Sequence, residues 1–155
     1  MLEEVVALVK EVGQQVIMPR YLRVSRQYKS DGSFFTEADV AAQTALFDAL
    51  QKIHPAPLLG EEMSREEQEL QWMQGNEGLW SVDPIDGTSN FFNGLPYFAI
   101  SVAYLVQGKS VLGVVYNPAT HEMFYAQKGG GAFLNGMPLP LNRYVPNLSN
   151  AMANV

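Results

Sequence analysis

The stretch Leu79-Trp80-Ser81-Val82-Asp83-Pro84-Ile85-Asp86-Gly87-Thr88 decides both how this chain folds and where its chemistry sits. Leu79 to Val82 is a short apolar run bounded by Gly78, the pattern of a buried strand. It runs straight into Asp83 and Asp86, three residues apart, which the sequence predicts to share one tight turn. Pro84 stiffens the backbone between them, and Gly87 can take a conformation closed to other residues. Acids that end a buried strand are costly unless something compensates them.

On the C-terminal side of this stretch the sequence predicts further strands at Phe98 to Val106, Val111 to Tyr116 and Met123 to Ala126. Gln107-Gly108-Lys109, Asn117 to His121 and Leu134 to Met137 punctuate them as turns. Links this short imply antiparallel pairing. On the N-terminal side, Leu2, Val5, Val9, Val12 and Val16 define one helical face, which Pro19 ends or kinks. Residues 27–35 read as a loop around Ser30-Asp31-Gly32-Ser33. Thr36 and Asp39 form a capping box that opens a helix to about Ile53. Leu58-Leu59-Gly60 reads as a short buried strand. Ser64 and Glu67 start another helix, with Leu70 and Trp72 on its apolar side, and Gly75 to Gly78 is a turn. Helices first and a strand meander after predict an α+β domain, helices packed on an antiparallel sheet. Phe91, Phe92, Tyr97 and Phe98 are expected in its core, and His54 and His121 beside turns at the surface.

Composition narrows the chemistry. The 155 residues contain no cysteine and two histidines, which excludes a disulfide scaffold, a thiolate zinc site and a cysteine nucleophile. Ten Lys and Arg against 16 Asp and Glu give a net charge of −6, so direct nucleic-acid binding is not expected. The N-terminus MLEEVVALVKEV lacks the basic region of a secretory signal, and the longest apolar stretch falls far short of a bilayer span. The expectation is a soluble, cytoplasmic protein without a membrane partner.

The paired aspartates suit a divalent cation. Mg²⁺ takes oxygen ligands and usually keeps several waters. Asp83, Asp86 and the Ile85 carbonyl can converge on such ions, with Asp83 bridging two. Gly60-Glu61-Glu62 repeats the arrangement after another apolar strand, and either glutamate adds a candidate ligand. Gly87-Thr88 opens a helical turn whose backbone N–H groups suit an anion. Cations beside an anion cradle describe a place for a phosphate. Taken singly, each feature also has a plain structural reading: a strand-end turn, a solvated helix entry, a cap for Thr36. Gly129-Gly130-Gly131 reads as a bend, since it lacks the pattern of a nucleotide-binding loop.

In combination these residues resemble the inositol monophosphatase family of Mg²⁺-dependent, lithium-sensitive phosphomonoesterases. Asp83-Pro84-Ile85-Asp86-Gly87-Thr88-Ser89-Asn90-Phe91 is similar to the family signature, and Gly60-Glu61-Glu62 to its upstream metal-ligand motif. Thr36-Glu37-Ala38-Asp39, Gly113 to Pro118 and Gly130 to Gly136 are also similar to family segments. The resemblance implies the N-terminal part of an αβαβα sandwich. It implies Mg²⁺ as cofactor, with Glu61, Asp83 and the Ile85 carbonyl on a first ion and Asp83 and Asp86 on a second. Asp39 and Thr88, with Glu61, would orient and deprotonate the attacking water. Gly87, Thr88 and Asp86 would face the substrate phosphate, and Lys29 a mobile loop near the metals. Ser89-Asn90-Phe91 looks like the inositol branch, so inositol 1-phosphate is the expected substrate. Another sugar phosphate or a nucleotide, or a non-catalytic regulatory module, is the alternative. A homodimer is also implied. Family chains continue into a second α/β domain whose Trp-Asp motif completes the second metal site. The expectation is therefore a domain over residues 1–143, with 144–155 the start of a second domain otherwise absent, and weak or no turnover by the chain alone.

Overall fold

The computed structural model describes residues 1–23, 25, 27–28 and 34–140. Lys29, the turn at residues 30–33 and the predicted domain boundary at 143–144 lie outside the described residues. Helix α1 (Leu2–Val12) buries Val5, Val9 and Val12, as the three- and four-residue spacing requires. The predicted face then drifts. Gly13–Ile17 widens into a π-helix, so Ile17 is fully buried and Val16 only partly. Pro19 sits in a closing 3₁₀ turn, Met18–Arg20.

The segment 27–35, read as a loop, instead begins and ends in two short antiparallel strands, β1 (Gln27–Tyr28) and β2 (Phe34–Phe35). Helix α2 (Glu37–Ile53) starts at the capping box predicted for it. Strand β3 (Leu58–Gly60) follows, then helix α3 (Arg65–Gln74), opened by a second capping box at Ser64 and Glu67. Strand β4 (Leu79–Asp86) leads into helix α4 (Thr88–Asn93). Strands β5 (Ala99–Val106), β6 (Lys109–Asn117), β7 (Glu122–Gln127), β8 (Gly131–Leu134) and β9 (Met137–Pro138) complete the described chain.

Strands β3 to β9 form one seven-stranded sheet in sequence order. Neighbours from β4 onward pair antiparallel, as short links demand, and β3 alone lies parallel to β4 through the α3 connection. Alternation is clear along β5 and β6. Ile100, Val102 and Tyr104 of β5, and Leu112, Val114 and Tyr116 of β6, point into the core. Helix α2 covers β4, and α1 lies beside it over β6 and β7. The core between them holds Leu46, Leu50, Trp80, Ile100 and Val114 without solvent exposure. Each such aliphatic side chain contributes roughly 1.5–3 kcal/mol by leaving water. The architecture is the α+β arrangement of helices on a mostly antiparallel sheet.

Two expectations about burial fail. Helix α3 buries no residue, and Leu70 and Trp72 are half exposed. Its contacts run to the edge strand β3, which offers hydrogen-bonding groups rather than a core to cover. Tyr97 is 74% exposed in the α4–β5 link, while Phe98 beside it and Phe91 of α4 are buried, packed on each other and on Tyr21. His54 is at the surface as expected, with its ring edge-on to Tyr104 at 5.2 Å. Among the described residues no helix is long and apolar enough to cross a membrane.

Candidate functional site

The candidate site lies where β3 and β4 end and α2 and α4 begin. Strand β4 does not turn at Asp83. It continues to Asp86, with Asp83 opposite Ser101 and Asp86 opposite Ala99. Three steps on β4 therefore match two on β5, which is a bulge of one residue. Pro84 sits within it, the position in a central strand where a missing N–H is tolerated. The tight turn expected from sequence is thus a kinked strand end. The bulge leaves Asp83 half-buried and Asp86 exposed, and Ile85 is buried beneath them. The Ile85 N–H donates to Asp83 Oδ1 at 3.1 Å, which fixes the first carboxylate against the kink.

Gly87 leaves the strand with φ of +86°, and a side chain there would meet the Tyr97 carbonyl oxygen at 2.8 Å. Only glycine satisfies both conditions. Thr88 then opens α4, with its hydroxyl 3.0 Å from the Ile85 carbonyl oxygen and 3.4 Å from Asp39 Oδ1. Asp39 arrives from the start of α2. Its Oδ2 accepts from the Thr36 N–H at 2.7 Å and from the Thr36 hydroxyl at 2.6 Å, so one oxygen caps the helix while the other faces Thr88. Both Thr36 and Asp39 are fully buried. The capping reading of Asp39 and the catalytic one are therefore compatible, since they use different oxygens.

The electrostatics are those of crowded acids. Burial, then the Glu61 and Asp86 charges, push Asp83 up to about 7. Asp83 and Glu61 are also hydrogen-bonded. Burial raises Asp39 as well, against the lowering effect of the Thr36 bonds, and Glu61 adds to the rise. Glu61, Asp83, Asp86 and Asp39 thus share one field, although they come from the turn after β3, from β4 and from α2. The set is all oxygen and rich in negative charge. Among the described residues, no three acidic, histidine or cysteine side chains close into a ready cage for a metal ion.

Sequence reasoning missed three residues here. Gln43 of α2 and Gln68 and Gln71 of α3 bond the backbone around Gly60 to Glu62 and at Leu58. The available signal was the spacing of Gln68 and Gln71, three apart on a helix with a weak apolar face.

Comparison with known proteins gives a consistent set of likenesses. A family model described as the inositol monophosphatase family matches residues 1–154. An inositol monophosphatase of Dictyostelium discoideum is 37% identical over 154 residues, covering 97% of this chain and 55% of that protein. A protein of Escherichia coli (strain K12) named Nus factor SuhB is 37% identical over 120 residues, 75% of this chain and 42% of its own. The solved structure of a Thermotoga maritima IMPase superposes with a TM-score of 0.79 at 36% identity, covering 92% of this chain and 54% of that one. The chain spans about half the length of these relatives.

Proposed function

Since the chain belongs to the inositol monophosphatase family, we propose that it carries the metal-binding and water-activating part of a Mg²⁺-dependent phosphatase acting on a phosphate monoester, inositol 1-phosphate first among them. The observation that supports this best is the junction of two groups. The chain Ile85 carbonyl–Thr88 hydroxyl–Asp39 carboxylate lies beside the charged set Glu61, Asp83 and Asp86.

The donor set fits Mg²⁺ in kind. That ion is held by one or two carboxylates, waters and substrate phosphate oxygens rather than by an all-protein cage. An open set of oxygens is what it needs. Glu61, Asp83 and the Ile85 carbonyl would hold a first ion, and Asp83 with Asp86 a second. When bound, the metal supplies Lewis-acid polarisation of the phosphate and a more acidic water.

The residues do the rest. Thr88 has one hydroxyl proton and two acceptors in reach, the Ile85 carbonyl and Asp39 Oδ1. With its proton donated in a hydrogen bond to Asp39, the Thr88 hydroxyl oxygen presents its lone pairs to a water and orients it for attack. As the water attacks, its proton passes to Thr88 while the Thr88 proton passes to Asp39, which burial makes a readier acceptor than an exposed aspartate. The backbone N–H groups of Gly87 and Thr88 would face the phosphate. No side chain attacks phosphorus, so no phosphoenzyme forms.

The test is phosphate release from inositol 1-phosphate with and without Mg²⁺ and lithium. Weak or no turnover is proposed for these 155 residues alone. In the protein as expressed in its cell, Thr88→Ala and Asp83→Asn are expected to lower kcat by about 100-fold or more. Activity that survives both substitutions overturns the proposal. A second reading, a regulatory module in a cytoplasmic assembly, is favoured by the likeness to a Nus factor. Asp86→Asn separates the two, because a cellular phenotype that persists without hydrolysis supports the regulatory role. A homodimer is proposed with either.

A further inference from the structure

Among the described residues, strand β3 is the edge of the sheet and pairs with a strand on one side only, β4. The Trp80 N–H donates to the Pro57 carbonyl at 2.9 Å, and the Glu61 N–H to the Val82 carbonyl at 3.2 Å. Odd-numbered residues therefore face β4, and the backbone groups of Leu58 and Gly60 face outward. An exposed edge leaves such groups to water or to another strand. Here side chains take them.

The Leu58 N–H donates to Gln71 Oε1 at 3.2 Å. Gln68 Nε2 donates to the Gly60 carbonyl at 2.9 Å and to the Glu61 carbonyl at 3.4 Å. Gln68 and Gln71 are three apart, so they share one face of α3. From the other side, Gln43 Oε1 accepts from the Glu62 N–H at 3.3 Å. A Cβ on Gly60 would meet Gln43 Oε1 at 2.5 Å and Phe47 Cζ at 2.7 Å. The glycine of Gly60-Glu61-Glu62 is there to admit Gln43.

We propose that α3 acts as a surrogate strand, and that Gln68, seconded by Gln43, is a positioning residue for Glu61. The Glu61 backbone is then held at both ends, its N–H by Val82 and its carbonyl by Gln68, which aims the carboxylate at Asp83. This rests on the reading of Glu61 as a metal ligand. It also explains why α3 is retained on the fold with its apolar residues outside.

The experiment measures Mn²⁺ affinity of the 155-residue chain by calorimetry, beside its thermal midpoint. Gln68→Met keeps the side-chain volume and removes the donor. Its expected effect is a loss of about tenfold or more in affinity, the range for groups that orient a ligand. Gln71→Met removes a bond of the same kind from the same helix at Leu58, and is expected to leave affinity within about threefold. Equal losses from both, or none from Gln68→Met, overturn the positioning role. Should Gln68→Met fail to fold, Gln43→Met is read against the same threshold. Glu61→Gln separates this from the underlying reading. If it leaves Mn²⁺ affinity unchanged, or if the unsubstituted chain binds no Mn²⁺, the metal reading itself falls and the inference with it.

Discussion

Replacing Asp83 by asparagine is expected to stabilise the metal-free chain, although the same change removes a proposed metal ligand. Asn is nearly isosteric. Its Oδ1 can still accept from the Ile85 N–H, and its amide can donate to Glu61. What disappears is the charge. Asp83 is pushed from 3.8 to about 7 in the folded chain. That is about 3 units, or roughly 4 kcal/mol at 1.36 kcal/mol per unit. Asp83 is only half-buried, so solvent screening reduces the figure to about 2 kcal/mol. The sign follows from linkage. A carboxyl whose folded value is raised binds its proton more tightly in the native chain than in the unfolded one. Stability is therefore undiminished below about 3.8, falls as pH rises toward about 7, and is level beyond it. Urea unfolding with EDTA present reads this directly. Asp83→Asn should gain about 2 kcal/mol over the parent chain near pH 8 and almost nothing near pH 3.5. Mg²⁺ at about 100 times its dissociation constant should restore about 2.7 kcal/mol to the parent alone and erase the advantage. A variant less stable than the parent near pH 8, or equally shifted at both pH values, refutes the reasoning.

Thr36→Val removes the hydroxyl that Asp39 Oδ2 accepts from and that caps the Ala38 N–H. It is expected to cost about 2 kcal/mol, and Thr36→Ser to cost little, by thermal or denaturant melts; equal losses would discount the cap. Gly87→Ala forces φ of +86° and a 2.8 Å approach to the Tyr97 carbonyl on a residue with a side chain. About 1–3 kcal/mol of stability should go, with α4 displaced, and an unchanged melt would mean that the link relaxes freely. Gln14→Met removes the donor that bonds Tyr116 Oη at 2.7 Å and the Pro118 carbonyl at 3.0 Å. Loss of about 1–2 kcal/mol is expected, and no loss would show that water replaces both bonds.

What the sequence made legible was local. Both capping boxes pair residues three apart, so Thr36 with Asp39 and Ser64 with Glu67 could be read before any fold was known. Alternation in β5 and β6 likewise needs only neighbouring residues. The kink at Pro84 was less visible, because a bulge is defined by the partner strand that β4 keeps pairing with. The exposure of Trp72 and Leu70 was invisible for a related reason: an apolar side of a helix is buried only if something apolar lies opposite. The glutamines were hidden most completely. An amide carries no charge pattern or turn preference, and its partners here lie up to 19 residues away. At the site, chain order brought Asp83, Ile85, Asp86, Gly87 and Thr88 together, whereas Asp39 and Glu61 joined them only through the parallel placement of β3 and the direction of α2.

The outward side of β3 has a consequence for assembly. A free sheet edge invites a neighbouring molecule to extend the sheet by main-chain pairing. On this chain such growth would first have to strip Gln71 from Leu58 and Gln68 from Gly60. The intruding strand would then take over the carbonyl of Gly60 and draw Gln68 away from the Glu61 carbonyl beside it. Polymerisation through that edge and an ordered Glu61 thus compete for the same few atoms, so a preparation that aggregates this way should lose its divalent-cation affinity in proportion to the fraction assembled.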